Sequence, residues 1–184
     1  HDQTRAEILL PAIDRGRAAL WQIMDQDLLL STLPWSAMVT HGLPGAGTGP
    51  SDPKMHADAF AQLDRTIAKM QIVNTAIDPH DVFGGYAFDR ESQRWPTADW
   101  RTAPLLAYTS LRLRHAEAAN PAARIKPLLA CGRAARFVAQ LMVDEPGCYY
   151  GLDAAAMTGG VRSALWDNRL PLDRTAMALL ALNP

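Results

Sequence analysis

The chain has 184 residues, of which 48% are hydrophobic and 20% are charged, a composition typical of globular domains rather than disordered or fibrous chains. Its formal net charge of −1 provides no overall positive field, so we expect no nucleic-acid partner. No apolar run reaches the ~18 residues that indicate a membrane span, so we expect none. These properties predict one globular domain over residues 1–184, either cytoplasmic or exported.

Apolar residues at helical spacing predict helices along most of the chain. We expect helices over residues 6–24, 28–39, 56–74, 103–117, 126–143 and 174–182. They would form three hairpins, over residues 1–41, 56–117 and 122–184, with a glycine- and proline-rich loop over 42–55. Thr102 and Asp173 are the expected caps of the helices that follow them. No segment shows sustained alternation of apolar and polar residues, so the predicted fold class is all-α, built from stacked helical hairpins.

Two stretches of the chain are nearly alike. One contains Phe83-Gly84-Gly85-Tyr86 and continues to Arg101-Thr102-Ala103 and an apolar helix. The other contains Thr158-Gly159-Gly160-Val161-Arg162 and continues to Arg174-Thr175-Ala176 and another apolar helix. A repeated unit of helix, glycine turn and helix must bury its apolar face against the next unit. The sequence therefore predicts a helical repeat.

These glycine turns, and the helices that begin near Arg101 and Asp173, resemble the α/α-toroid repeats of the prenyltransferase and squalene–hopene cyclase group. The resemblance covers residues 57–183 and implies an arc of two and a half to three hairpins, whereas a complete toroid has five or six. The chain would then be an arc, a part of a longer chain, or a subunit that closes its ring with further copies. The family's Asp-rich acid motif is absent, and so are the zinc-binding Cys and His after the second turn.

The loops that follow the glycine turns carry the residues most suited to binding. If the hairpins stack in register, both loops emerge at one end of the bundle and bring aromatic rings close to carboxylates and guanidiniums. Such a surface suits a sugar, because an aromatic ring stacks on C–H groups while the charged groups bind hydroxyls. The candidate ligand-binding residues are Trp95, Asp99, Trp100, Arg101, Tyr150, Arg162, Trp166, Asp167, Arg169 and Asp173.

The same residues also suit a structural role. Both loops place an Asp beside a Trp with an Arg nearby, as in Asp99-Trp100-Arg101 and in Trp166-Asp167 before Arg169. A catalytic acid is needed once, whereas a bidentate Asp–Arg pair that ties a loop together is needed in every repeat. The recurrence favours the structural interpretation.

Two functions follow from this pattern. The first is a non-catalytic repeat module that binds a small molecule, a glycan, an isoprenoid or a partner protein. The second is an enzyme of the lyase, glycosidase or cyclase type that uses a carboxylate from Asp89, Asp99, Asp167 or Asp173. Because the chain has no recognisable catalytic motif, we expect the first. Dispersed histidines and two distant cysteines, Cys131 and Cys148, predict buried thiols, no metal site and no cofactor.

Overall fold

The computed structural model describes residues 11–12, 15–16, 19, 26–36, 53–73, 80–88, 97–115, 121–144, 146, 148 and 153–182. The chain divides into two compact units, His1–Thr66 and Ile67–Pro184. The single domain and the three hairpins expected from the sequence stay predictions.

The first unit contains helix α1, Gln26–Ser31, and most of helix α2, Pro53–Met70, which continues into the second unit. The helical spacing of Phe60, Leu63, Ile67 and Met70 predicts one apolar stripe on helix α2; the first three are buried and Met70 is half-buried. The predicted limits of this helix are wrong at both ends. It includes residues 53–55, which were expected to belong to the loop, and it ends at Met70 instead of residue 74. The rest of that loop, residues 42–52, lies outside the described residues.

The second unit contains helices α3, Thr102–His115, α4, Pro121–Leu141, α5, Ala154–Met157, and α6, Leu172–Leu182. A short 3-10 turn spans His80–Val82. Helix α3 packs against both α4 and α6, so α3 is the central helix of the unit. The largest fully buried side chains of the unit include Tyr86, Leu105, Tyr108, Phe137 and Leu141.

Helix α4 differs from its predicted limits. It begins at Pro121 rather than residue 126 and ends at Leu141 rather than residue 143, so Pro127 lies inside the helix. A proline fits the first position of a helix, because the backbone N–H that it lacks has no partner there in any case. Pro121 therefore starts helix α4.

Helices dominate the described residues, which otherwise contain isolated backbone bridges and no strand, so the all-α fold class is confirmed. None of the described helices is long and apolar enough to cross a membrane. Cys131 and Cys148 are both free and buried, as predicted.

Candidate functional site

The first glycine turn is closed by backbone hydrogen bonds. Gly84 N–H donates to the carbonyl of Ile72 at 2.8 Å, and Ile72 N–H donates to the carbonyl of Gly85 at 2.9 Å. Gly84 has a φ of 94°, in the left-handed region that glycine tolerates best. The N–H of buried Tyr86 donates to Thr102 Oγ1 at 3.1 Å, so the hydroxyl predicted to cap α3 instead ties the turn to the start of that helix.

The second glycine turn has the same hydrogen bonds. Gly159 N–H donates to the carbonyl of Val143, and Val143 N–H donates to that of Gly160, both at 2.8 Å. Gly159 has a φ of 84°. Val161 N–H donates to Thr175 Oγ1 at 3.0 Å, at the start of α6. The threonine after the arginine therefore has the same role in both stretches.

The loops after the two turns lie against each other. Trp100 N–H donates to the carbonyl of Ser163 at 3.0 Å, and Asp99 forms an antiparallel bridge with Ala164. The guanidinium of Arg174, in the first turn of α6, lies 4.9 Å from the centroid of the Trp100 ring and donates to Ser163 Oγ. We call residues 97–101 and 161–169 together with Arg174 the loop cluster.

One predicted carboxylate of the loop cluster, Asp99, is bound by the arginine two residues later. Arg101 Nε donates to both carboxylate oxygens at 3.0 Å, and Nη2 lies 2.8 Å from Oδ2. The backbone N–H of Arg101 donates to Oδ1 at 2.9 Å. The same guanidinium stacks 4.5 Å from the centroid of the Phe88 ring. Asp99 is therefore neutralised within its own loop.

The second carboxylate, Asp167, is bound in the same way by Arg169. Arg169 Nε donates to both oxygens at 2.9 Å, Nη2 donates to Oδ2, and the backbone N–H donates to Oδ1 at 3.1 Å. The hydrogen bonds from the Arg169 side chain and backbone lower the pKa of Asp167 to about 2. This carboxylate stays ionised at neutral pH and cannot serve as a proton donor there.

The other candidate residues have different surroundings. Trp166 is 60% exposed, and Asp173 is an exposed residue in the first turn of α6. Arg162 is half-buried and its Nη2 donates to the carbonyl of Gln140 at 2.7 Å, so it attaches the second turn to the end of α4. Trp95 and Tyr150 lie outside the described residues.

Two residues of the site, Ser163 and Phe88, were not predicted from the sequence. Ser163 is buried and contacts Arg169 and Arg174 through its hydroxyl, and Phe88 lies under the guanidinium of Arg101. The repeated Arg-Thr-Ala triplet was a signal for two of these contacts. Arg101 and Arg174 precede the paired threonines. Arg101 contacts Phe88, and Arg174 contacts Ser163. Each of these two partners is the third residue after the second glycine of its turn.

A separate polar cluster lies in the core. Burial raises the pKa of Tyr86 to about 12, an effect that a hydrogen bond with the Thr109 side chain partly opposes. Burial also raises the pKa of the Cys131 thiol, whose sulfur lies 3.9 Å from Ser110 Oγ. Both groups are buried, and their raised pKa values disfavour the ionised forms, so this cluster suits packing rather than nucleophilic chemistry.

The described residues contain no group of three or more His, Cys, Asp or Glu side chains that could bind a metal ion. In the loop cluster, Trp166 is 60% exposed and the side chain of Arg169 is 78% exposed. Neither a family model nor a characterised protein nor a solved structure matches the chain.

Proposed function

We propose that this chain is a non-catalytic helical-repeat module, an arc similar to part of an α/α toroid, that binds a glycan through the loop cluster. The observation that best supports this proposal is the doubled Asp–Arg pair. Asp99 and Asp167 are each bound by the arginine two residues later, through the same set of atoms. A bidentate pair of this kind holds its own loop in shape, which favours a structural role for both carboxylates over a catalytic one.

The matching glycine turns support the repeat. Each turn forms backbone hydrogen bonds with a residue after the preceding helix. The residue after each turn donates its backbone N–H to a threonine at the start of the following helix. Hydrogen bonds that recur in this way fit a unit that was duplicated as a whole, from one helix through the turn to the next.

The carboxylate-dependent enzyme considered as the alternative is less favoured. A general acid needs a raised pKa, and a general base needs an accessible carboxylate. The pKa of Asp167 is lowered to about 2, and both oxygens of Asp99 accept hydrogen bonds from Arg101. These two carboxylates therefore fit neither role, whereas Asp173 is exposed on α6 and accessible, and Asp89 lies outside the described residues.

A glycan is the ligand class that best suits the exposed groups. Trp166 is 60% exposed, and its indole would offer a flat apolar face to the C–H groups of a sugar ring. The side chain of Arg169 is 78% exposed and can donate to sugar hydroxyls while it holds Asp167. An exposed aromatic residue and a paired guanidinium in the same loop would together supply both kinds of contact that a sugar requires.

A glycan array, followed by titration of the glycans that bind, tests this proposal. Trp166→Ala should weaken binding about tenfold or more, equivalent to ~1.4 kcal/mol. Trp35→Ala is the matched control, because Trp35 is 53% exposed but belongs to the first unit. It should leave the affinity unchanged.

Mass spectrometry of the incubated glycans separates binding from catalysis. Recovery of intact glycans is expected. Cleavage or elimination products that disappear with Asp167→Asn would instead establish the enzyme. If Trp166→Ala and Trp35→Ala have equal effects, or if only a lipid or a protein binds, the assignment of a glycan to the loop cluster is wrong.

A further inference from the structure

The two stretches of similar sequence differ in how deeply their second helices are buried. Thr102 and Thr175 have the same hydrogen-bonding role and are 73 residues apart, which sets the correspondence between α3 and α6. At this offset Leu105 corresponds to Ala178, and both are 1% exposed. One face of the two helices is therefore buried equally.

An adjoining face is buried in α3 but exposed in α6. Leu106 is 2% exposed, whereas Leu179, 73 residues later, is 55% exposed. Ala103 is likewise buried, and the corresponding Ala176 is exposed. Helix α3 packs against α4 and α6, which both follow it in the chain, whereas the helical neighbours of α6 among the described residues, α3 and α4, both precede it.

The glycine turns show the same difference. Gly84 is buried against α4, where an added Cβ would lie 2.3 Å from the carbonyl oxygen of Arg133. Gly159 has a similar φ but is exposed, and an added Cβ there would meet nothing within 4 Å. The first turn therefore lies against the helix that follows it in the repeat, and the second turn has an open surface at the matching position.

We propose that the exposed surface formed by Gly159, Leu172, Ala176 and Leu179 docks a further helical hairpin of the same kind as α4 and α6. This inference rests on the helical repeat in the proposed function and adds a protein partner for that repeat. The first stretch supplies the template, because its corresponding surface is covered by a helix at Gly84 and by another along α3. The partner would bring the main chain of one helix against Gly159 and a second helix against Leu179.

The contacts already made by α4 and α6 define the chemistry of that partner. Helix α6 packs on α3, and its buried side chains are two alanines, Ala178 and Ala181. The partner's second helix should therefore present alanines or residues of similar size to the Leu179 face. Leu172, which is 83% exposed, lies at the start of that face and enlarges the apolar surface to be covered.

An extended protein tests the docking surface directly. It consists of residues 1–182 followed directly by a second copy of residues 110–182. Leu182 of α6 corresponds to Thr109 of α3, so the added copy continues α6 in the way that the chain continues α3. If the added hairpin docks, the Tm should exceed that of the original protein by several degrees, because a repeat is stabilised by its interface with the next. Leu179→Glu, made in the first copy, should lower the Tm of the extended protein far more than that of the original.

Leu128→Glu is the matched control, because Leu128 is 59% exposed but lies on α4. It should have the same small effect in both proteins. An extended protein that fails to fold, that gains no stability, or that is equally insensitive to Leu179→Glu would overturn the proposal. Sedimentation of the original protein should show a monomer, and self-association that Leu179→Glu abolishes would instead identify a second copy as the occupant.

Discussion

Two glycines with nearly the same backbone conformation should differ sharply in their tolerance of alanine. Gly84 has a φ of 94° and Gly159 a φ of 84°. An L-residue in a left-handed conformation costs about 1–2 kcal/mol, and this cost applies to both Gly84→Ala and Gly159→Ala. If backbone conformation alone mattered, the two variants would be equally destabilised.

The surroundings of the added methyl group separate the two variants. At Gly84 the Cβ would lie 2.3 Å from the carbonyl oxygen of Arg133, a main-chain atom of α4 that cannot rotate away. Forcing extra volume into a packed region costs about 1–3 kcal/mol. At Gly159 the space is open. We therefore expect a loss of ~2–5 kcal/mol for Gly84→Ala and ~1–2 kcal/mol for Gly159→Ala.

Thermal unfolding followed by circular dichroism measures this difference. A chain of this size loses about 2–4 °C in Tm per kcal/mol, so Gly84→Ala should melt about 2–12 °C below Gly159→Ala. Equal Tm values would refute the close approach of the first turn to α4. A lower Tm for Gly159→Ala would mean that the second turn is already covered in the isolated protein.

Three further predictions concern single side chains. Thr102→Val should lower the free energy of unfolding in urea by about 1–3 kcal/mol, because it leaves the buried N–H of Tyr86 without an acceptor. Thr102→Ser keeps the hydroxyl and should cost less. A serine variant as unstable as the valine variant would contradict this role. Asp167 should titrate near pH 2 by NMR and at a higher pH in Arg169→Leu, which removes the guanidinium but keeps the backbone N–H that donates to Oδ1. Because its folded pKa is lowered, the pairing stabilises the fold above about pH 4, and this contribution is lost as the pH falls towards 2; a pKa unchanged by Arg169→Leu would argue against the pairing. Tyr86 should titrate near pH 12 in an ultraviolet absorbance titration. Since its folded pKa is raised, its contribution is present below about pH 10 and is lost as the pH rises towards 12, a dependence that Tyr86→Phe should remove; titration of all four tyrosines near pH 10 would show that Tyr86 is not buried.

Much of the fold could be predicted from the sequence because its signals are local. Apolar residues recur at helical spacing along α2, and Phe60, Leu63 and Ile67 are buried as expected. The limits of helices were harder to predict, because a proline can end one helix or begin the next. Pro121 begins α4, since the first position of a helix requires no backbone donor.

The candidate site could be predicted only in part. Asp, Trp and Arg in both loops indicated where charged and aromatic groups would meet, and Trp100 does contact Ser163 and Arg174. Residue type could not decide which arginine binds which carboxylate. Asp167 is bound by Arg169 and not by Arg174, although Arg174 corresponds to the arginine that binds Asp99.

The sequence by itself determined the two glycine turns and their register, because a Gly-Gly turn and an Arg-Thr-Ala triplet depend on local backbone geometry. Only the tertiary structure decided what surrounds each copy. Leu106 and Leu179 occupy matching positions, yet one is buried and the other is exposed. Gly84 and Gly159 share a conformation, yet only Gly84 lies against a helix. Burial depends on which helices pack alongside, and no local pattern contains that information.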